Sequence, residues 1–192
     1  MPLACCFLTH FDLETNPMTS RFAELEPKVQ PLGTAKDYAN EFIEAVQTGT
    51  LLQGFSRQET ILFSEYLQCF GVPRHSTVLR EGDPGDFLII LITGEAVITK
   101  RHDDVDKVVY TIKPGDMIGE MSLIDGLNRF ASCVTTQPSD FAVLNAANFN
   151  AMLADHPRLS NKLLLRMLVM STTRLRHATN QMLPNLVDFG VF

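Results

Sequence analysis

The central part of the chain, from Val72 to about Leu144, consists of short runs rich in Val, Ile and Thr. Residues of these types favour strands, whereas Gly, Pro, Asn and Asp favour the turns between them. Regular short strands without intervening helices indicate an antiparallel sandwich or roll. The turn signals that separate the runs are Gly82-Asp83-Pro84-Gly85, Gly94, His102-Asp103-Asp104 and Pro114-Gly115-Asp116.

The fold class expected from this pattern is α+β. We predict an antiparallel, jelly-roll-like β-roll of about eight short strands, flanked by N-terminal helices and a long C-terminal helix. The strand candidates that the runs supply are Thr77–Arg80, Phe87–Thr93, Glu95–Lys100, Lys107–Ile112, Ala131–Thr136 and Phe141–Leu144.

Two short amphipathic helices are predicted ahead of the roll. The first spans Ala35–Thr48 and ends at Gly49, a residue that commonly follows a helix. The second begins after Ser56, where Glu59 three residues further on completes a capping box. The apolar faces of the two helices comprise Tyr38, Phe42, Ile43 and Val46 in the first, and Ile61, Leu62, Leu67 and Phe70 in the second.

The helical period returns after the roll, first in Ala146–Asp155 and then in a long run from Pro157 to about Leu183. Apolar positions at alternating steps of four and three make a heptad seam, which is typical of helices that pair with a second chain. An ordinary helix that packs this stripe on its own roll is the alternative. The seam comprises Leu164, Leu168, Ser171, Leu175, Ala178 and Met182, and a second apolar strip comprises Leu163, Met167 and Met170.

These elements divide the chain into an irregular N-terminal arm, a helical segment, the roll, the C-terminal helices and a short tail. Met18 is a second candidate for the natural start. The four cysteines are too irregularly spaced for a zinc site and are expected to be reduced thiols. The expected boundaries are 1–34, 35–70, 71–145, 146–183 and 184–192.

Charge and hydropathy narrow the range of partners. The net charge of −6 on 192 residues provides no general attraction to nucleic acid. The sequence contains neither a signal peptide nor an apolar run long enough to span a bilayer. We therefore expect a cytoplasmic protein that binds neither DNA nor a membrane directly, and an anionic small molecule would need a local cation.

The segment from Pro114 to Val134 offers such a cation. Gly119 permits close approach of the backbone, the short apolar stretch after it is able to form one helical turn, and Arg129 supplies a planar fork of donors. Glu120 would repel a phosphate, so its carboxylate must face a group that donates hydrogen bonds, such as a sugar hydroxyl. These residues alone leave two interpretations open, an anion site or a surface turn.

The same segment, Gly119-Glu120-Met121-Ser122-Leu123-Ile124 followed by Arg129-Phe130-Ala131-Ser132, resembles the phosphate-binding cassette of the cyclic-nucleotide-binding domain family. That family includes the catabolite activator protein and the regulatory subunits of protein kinase A. The turn Arg80–Asp86 and the Pro114–Asp116 turn also resemble family motifs, and the cassette would occupy 115–134.

The resemblance implies roles for individual residues. Arg129 would pair with the exocyclic oxygens of the cyclic phosphate, and Glu120 would accept from the ribose 2′-hydroxyl. Asp86 would orient the arginine from behind, with simple turn chemistry as the alternative. The other residues expected around the ligand are Ile118, Gly119, Met121, Ser122, Phe130 and Ala131 in the cassette, Val97 and Val109 on strands, and Arg174 on the C-terminal helix beside Thr172 and Thr173.

Two residues depart from the family pattern. Asn128 stands where the family commonly has proline, and Phe130 stands where a small residue is usual. The ring of Phe130 is bulky enough to alter the phosphate pocket. The resemblance also implies that family members which prefer cyclic GMP use a hydroxyl at this position to reach the guanine amino group, and phenylalanine has none. Because an unpartnered buried donor costs about 1–3 kcal/mol, cyclic AMP is favoured over cyclic GMP as the ligand.

The resemblance predicts a regulatory sensor that signals through its C-terminal helix. We expect a homodimer formed through that helix and a protein partner regulated in trans. The alternative is a degenerate module, with a non-functional pocket, that serves dimerisation or protein interaction. An enzyme is disfavoured because none of the five histidines lies in a catalytic or metal-binding motif, and no cofactor is expected.

Overall fold

The protein is described here as a computed structural model that covers residues 29–37, 39–49 and 51–182. In these ranges the strands are β1 Gln30–Thr34, β2 Gln68–Val72, β3 Thr77–Leu79, β4 Phe87–Thr93, β5 Ala96–His102, β6 Val105–Ile112, β7 Met117–Ile118, β8 Ser132–Thr135 and β9 Ser139–Asn145. The helices are α1 Ala39–Thr48, α2 Arg57–Ser64, α3 Glu120–Asp125, α4 Ala146–Asp155 and α5 Pro157–Met182.

The strands form two antiparallel sheets, which confirms the predicted β-roll. The five-stranded sheet has the order β1-β2-β9-β4-β7, and the four-stranded sheet has the order β3-β8-β5-β6. Side chains from both sheets, including Val78, Ile89, Ile112 and Phe141, form one core between them. The roll is therefore closed by apolar packing between its two sheets.

A second core lies between the five-stranded sheet and the helices. Strand β4 contributes to both cores, because Ile89 and Leu91 face the roll while Leu88 and Ile90 face the helices. Burial on both faces explains why this strand is a continuous apolar run instead of an alternating one. The helical side of this core includes Phe42, Phe63, Phe149, Met152, Leu159 and Leu163.

The capping box predicted at Ser56 is confirmed. Ser56 Oγ accepts a hydrogen bond from Glu59 N at 3.2 Å, and Glu59 Oε2 accepts one from Ser56 N at 2.7 Å. The extension of this helix to Phe70 was wrong, since α2 ends at Ser64. Phe70 instead lies in β2 opposite Phe141 of β9, so sheet pairing outweighs the local helical spacing.

The first helix begins later than predicted. It starts at Ala39 instead of Ala35, because the Asp37 carboxylate accepts from both the N–H and the hydroxyl of Thr34 and holds a turn there. Tyr38, which was predicted to lie on the apolar face of this helix, is outside the described residues, as are residues 1–28 and 183–192.

The N-terminal arm was expected to stay irregular up to Thr34. Instead, residues 30–34 form β1, which pairs with β2.

The two C-terminal helices match their predicted positions. The strip Leu163, Met167 and Met170 is buried at 0%, 1% and 8% exposure, as expected for the face that meets the domain. The seam residues Leu168 and Leu175 are 62% and 67% exposed. From 172 to 180 every residue is exposed, so the last turns of α5 extend past the core. None of the helices in the described ranges has the length and apolarity needed to cross a bilayer.

Candidate functional site

Arg129 lies at the centre of the candidate site and is only 5% exposed. Its backbone N–H donates to Asp83 O at 2.8 Å, and its carbonyl accepts from Gly82 N at 2.9 Å. The turn that follows β3 therefore holds the backbone of the arginine on both sides. This turn belongs to the motif that the sequence analysis singled out at Arg80–Asp86.

The guanidinium of Arg129 has only part of its donor capacity satisfied. Nη1 donates to Gly119 O at 3.0 Å, and Cζ lies 4.3 Å from the centre of the Phe87 ring. Nη2 is buried and has no hydrogen-bond partner among the described residues. A buried donor of a charged group without an acceptor is costly, so this atom points to a ligand that supplies one.

The charge of Arg129 persists at neutral pH despite its burial. Loss of hydration lowers the pKa of Arg129 to about 10, and the negative charges of Asp86, Glu120 and Asp83 oppose that decrease. Asp86 makes the largest of these three contributions. It is half-buried, and its backbone carbonyl accepts from Ala146 N at 2.8 Å. The electrostatic effect is compatible with an orienting role, which stays a prediction.

Two glycines make room for the arginine. A Cβ at Gly85 would lie 2.5 Å from Arg129 Nε and 2.6 Å from Cζ. A Cβ at Gly119 would lie 2.8 Å from Arg129 Nη1, and the φ of Gly119 is +84°, which favours glycine. The sequence analysis assigned close approach to Gly119, whereas the steric role of Gly85 was missed because it depends on a contact across the fold.

Glu120 is the first residue of α3 and is 2% exposed. Its Oε1 accepts from Arg174 Nη1 at 2.5 Å, and Arg174 Nη2 donates to Met117 O at 2.6 Å. Arg174 belongs to α5, so one guanidinium connects the C-terminal helix with both the carboxylate and the backbone of the site. Arg174 was predicted to lie around the ligand, and the structure shows that its guanidinium contacts Glu120.

The remaining candidate residues separate into two groups. Ser122 is buried, Ala131 is half-buried, and Ile118 faces the interior of the roll at 6% exposure. Val97 is half-buried on β5. Met121 and Val109 are 50% and 66% exposed, so the structure does not place them in the interior. Thr172 and Thr173 donate to carbonyls of their own helix, Leu168 O and Val169 O.

Phe130 is 64% exposed, so its ring lies at the surface. Lys100 Nζ lies 4.1 Å from the ring centre and donates to the carbonyl of Phe130 at 2.5 Å. Lys100 also pairs with Glu81 Oε1 at 2.7 Å. Sequence reasoning missed Lys100, because its position on β5 opposite the cassette is set by sheet pairing and leaves no local signal.

The described residues contain no cluster of three or more His, Cys, Asp or Glu side chains able to hold a metal ion. Cys69 and Cys133 are buried and unbridged. Burial raises the pKa of each thiol to about 12, so both are neutral at physiological pH and poor nucleophiles.

Comparison with known proteins agrees with this geometry. The sequence profile of the cyclic nucleotide-binding domain matches residues 70–156. The chain is 33% identical over 146 residues to the CRP-like cAMP-activated global transcriptional regulator of Mycobacterium tuberculosis, a match that covers 76% of this chain and 62% of that protein. It is 34% identical over 112 residues to the cAMP-dependent protein kinase regulatory subunit of Aspergillus niger, covering 58% of this chain and 26% of that one. The chain thus spans less than two thirds of the curated relatives it matches.

A solved structure matches over nearly its whole length. The cyclic nucleotide-binding domain from Methylobacillus flagellatus is 36% identical, with a TM-score of 0.78, and the match covers 90% of this chain and 99% of that one. The identity and the coverage of this match support the same family as the profile match. This chain belongs to the cyclic nucleotide-binding domain family.

Proposed function

We propose that this chain is a regulatory sensor that binds cyclic AMP in preference to cyclic GMP and signals through α5. One observation carries the proposal: Nη2 of Arg129 is a buried donor on a charged group, with no partner in the described part of the chain. A phosphate oxygen accepts strongly from guanidinium, and its charge would offset the loss of hydration at this arginine.

The two ends of the ligand are assigned to two residues. The cyclic phosphate binds Arg129, and the ribose 2′-hydroxyl donates to the carboxylate of Glu120. A buried carboxylate would repel the phosphate, so its position fits a neighbouring hydroxyl better than a second anion-binding group. The names of two relatives, a cAMP-activated regulator and a cAMP-dependent kinase subunit, support cyclic AMP as the nucleotide.

Signalling is proposed to start at the ion pair between Glu120 and Arg174. The pair joins the proposed sugar-binding carboxylate to α5, so a hydroxyl that approaches Glu120 changes the environment of Arg174 directly. For the response to be allosteric, the nucleotide must bind one position of the helix more tightly than another. Movement of the last turns of α5 is the expected output.

The exposed seam of α5 supports a homodimer. Leu168 and Leu175 are large apolar side chains with most of their surface in solvent, at the heptad spacing that a partner helix would cover. We propose that two copies pair through this seam and that the pair acts on a further protein in trans. The sensor is proposed to have no enzymatic activity and no direct contact with DNA.

Thermal unfolding with cyclic AMP tests the binding. A ligand at 100 times its dissociation constant adds about 2.7 kcal/mol to the free energy of unfolding, so the melting temperature must rise with nucleotide concentration. Arg129→Ala should abolish the rise, whereas Arg80→Ala, a change at an exposed arginine in the adjoining turn, should preserve it.

The degenerate module gives a different result in the same experiment. If millimolar cyclic AMP leaves the melting temperature of the wild-type chain unchanged, the sensor function is wrong and the interaction module is favoured. Mass spectrometry of any nucleotide retained through purification identifies the ligand independently.

A further inference from the structure

We infer that Lys100 is a positioning residue for the proposed phosphate site, acting through Phe130. This inference rests on the proposed function and deepens it. Phe130 follows the arginine that is proposed to bind the phosphate, and the resemblance of Arg129-Phe130-Ala131-Ser132 to the family cassette implies that the Phe130 N–H also donates to the phosphate. The contacts of Lys100 explain how the bulky ring of Phe130 is accommodated at this position.

Lys100 contacts both polar and apolar parts of Phe130. The ammonium donates to the Phe130 carbonyl at 2.5 Å and lies 4.1 Å from the ring centre, a distance at which a cation is attracted to an aromatic face. One side chain thus fixes the backbone after the arginine and keeps the ring at the surface. A smaller residue at position 130 would offer only the carbonyl.

Glu81 holds the ammonium in place. Its Oε1 lies 2.7 Å from Lys100 Nζ, and its Oε2 accepts from Arg101 N at 3.0 Å. The backbone N–H of Glu81 donates to Ser132 Oγ at 2.9 Å. The turn after β3, strand β5 and the start of β8 are therefore connected through one carboxylate residue, and Lys100 is oriented toward Phe130.

The contacts of Lys100 with Phe130, which we call the clamp, complement the contacts that hold the backbone of Arg129. Gly82 and Asp83 hold the carbonyl and N–H of Arg129, which sets the plane of the peptide that contains the Phe130 N–H. Rotation about the backbone of Phe130 itself is left to Lys100, which binds the next carbonyl. The two sets of contacts together fix the backbone on both sides of the proposed phosphate donor, so less order has to be created when the ligand binds.

The affinity for cyclic AMP, measured by calorimetry, tests this role. Lys100→Met keeps the length of the side chain and removes the charge. We expect about tenfold weaker binding, which is the lower end of the range for one hydrogen bond to a charged group. Lys100→Arg should stay within about twofold of wild type, because the cation and its donors remain. Lys36→Met is the matched control, since it breaks an exposed 2.8 Å ion pair with Glu65 and should leave affinity unchanged.

A measurement without nucleotide separates this inference from the proposed function. In protein labelled with 15N at phenylalanine, the Phe130 amide should exchange faster in Lys100→Met than in wild type or Lys36→Met. If wild type binds, Arg129→Ala abolishes binding and Lys100→Met binds within about twofold of wild type, the positioning role is wrong while the sensor stands. If wild type does not bind, the sensor fails, and unchanged exchange at Phe130 then overturns the clamp as well.

Discussion

Arg174 donates to Glu120 across 2.5 Å, so a residue of the C-terminal helix occupies the same carboxylate that is proposed to bind the sugar. Glu120 is nearly inaccessible, whereas the Arg174 side chain is 42% exposed. The contact therefore joins a fixed group in the domain to a group on a helix end that has few other contacts. Any ligand that changes the hydrogen bonds of Glu120 acts on this helix without an intermediate.

Arg174→Gln should loosen the end of α5. The substitution leaves the buried carboxylate without its cation, and we expect a loss of about 1–2 kcal/mol in the free energy of unfolding, reduced by the exposure of Arg174. Amide exchange from 172 to 180 should accelerate, as measured by mass spectrometry. Arg176→Gln, on an exposed position of the same helix, serves as the control. Equal exchange in both variants would contradict the role of the ion pair.

Nucleotide binding should weaken at high pH. Burial lowers the pKa of Arg129 from its ordinary value to about 10, so the guanidinium is charged below that pH and loses its proton as the pH rises through it. The phosphate diester stays anionic throughout, and the attraction therefore exists below about pH 10 and is lost above it. Calorimetry should give a constant affinity between about pH 6 and 9 and a decline beyond, with circular dichroism to show that the chain stays folded.

The effect of this group on stability has the opposite sign. The folded state gives up its proton at a lower pH than the unfolded state, so in the window that opens at about pH 10 the unfolded chain binds more protons. The contribution of Arg129 to the free energy of unfolding thus rises with pH in that window. Weaker binding at high pH is then not a sign that Arg129 destabilises the fold there.

Gly85→Ala should reduce both nucleotide affinity and stability. The new methyl group would lie 2.5 Å from Arg129 Nε and 2.7 Å from Ser122 Cβ, so the guanidinium would have to leave its observed position. We expect at least about tenfold weaker binding of the nucleotide and a decrease of about 1–3 kcal/mol in the free energy of unfolding. Gly126→Ala is the comparison, because a Cβ there meets nothing within 4 Å although φ is +70°. That variant should lose about 1 kcal/mol and bind normally.

Phe130→Thr should shift the preference toward cyclic GMP. A hydroxyl at this position is able to accept from the guanine amino group, which the phenylalanine ring cannot do. The ratio of the two dissociation constants should change by about tenfold in favour of cyclic GMP, the size expected when an unpartnered donor gains a partner. Phe130→Ala removes the ring without adding a hydroxyl, and an equal shift in that variant would assign the effect to ring size instead.

Leu168→Lys and Leu175→Lys should produce monomers if the seam of α5 pairs two copies. A charge at an apolar heptad position opposes burial in a helix pair. Sedimentation velocity measures the change, and Thr173→Lys, on the exposed side of the helix away from the seam, should leave the dimer intact. A wild-type chain that sediments as a monomer at high concentration would rule out the homodimer.

The strands of the roll were predictable because their signals are local. Phe87–Thr93 was predicted with its observed bounds, since a continuous apolar run between turn residues is hard to place elsewhere. The capping box at Ser56 was predictable for the same reason, as both of its hydrogen bonds lie within four residues. Phe70 was assigned wrongly, because its strand exists only through pairing with β9.

The candidate site divides in the same way. Glu120 and Arg129 were identified from a motif within one segment, and the structure buries both. Three contacts of the site join segments that are distant in sequence. They are the packing of Gly85 against Arg129, the contacts of Lys100 with Phe130, and the contact of Arg174 with Glu120. Their side chains carry no local sign of the partner, so only the folded arrangement reveals them.

The exposed end of α5 has a mechanical consequence. Helix α5 leaves the core after Met170, and the stretch to Met182 is about 18 Å long at 1.5 Å per residue. A tilt of about ten degrees at Met170 would displace the far end by about 3 Å, an amount set by the tilt and by the length of the segment. Arg174 lies near the start of this exposed helical segment and contacts Glu120 there. At that point a tilt of the helix produces the smallest displacement, and the largest force is needed to resist the tilt. Sub-ångström changes beside Glu120 would thus become displacements large enough to alter how a partner meets the helix.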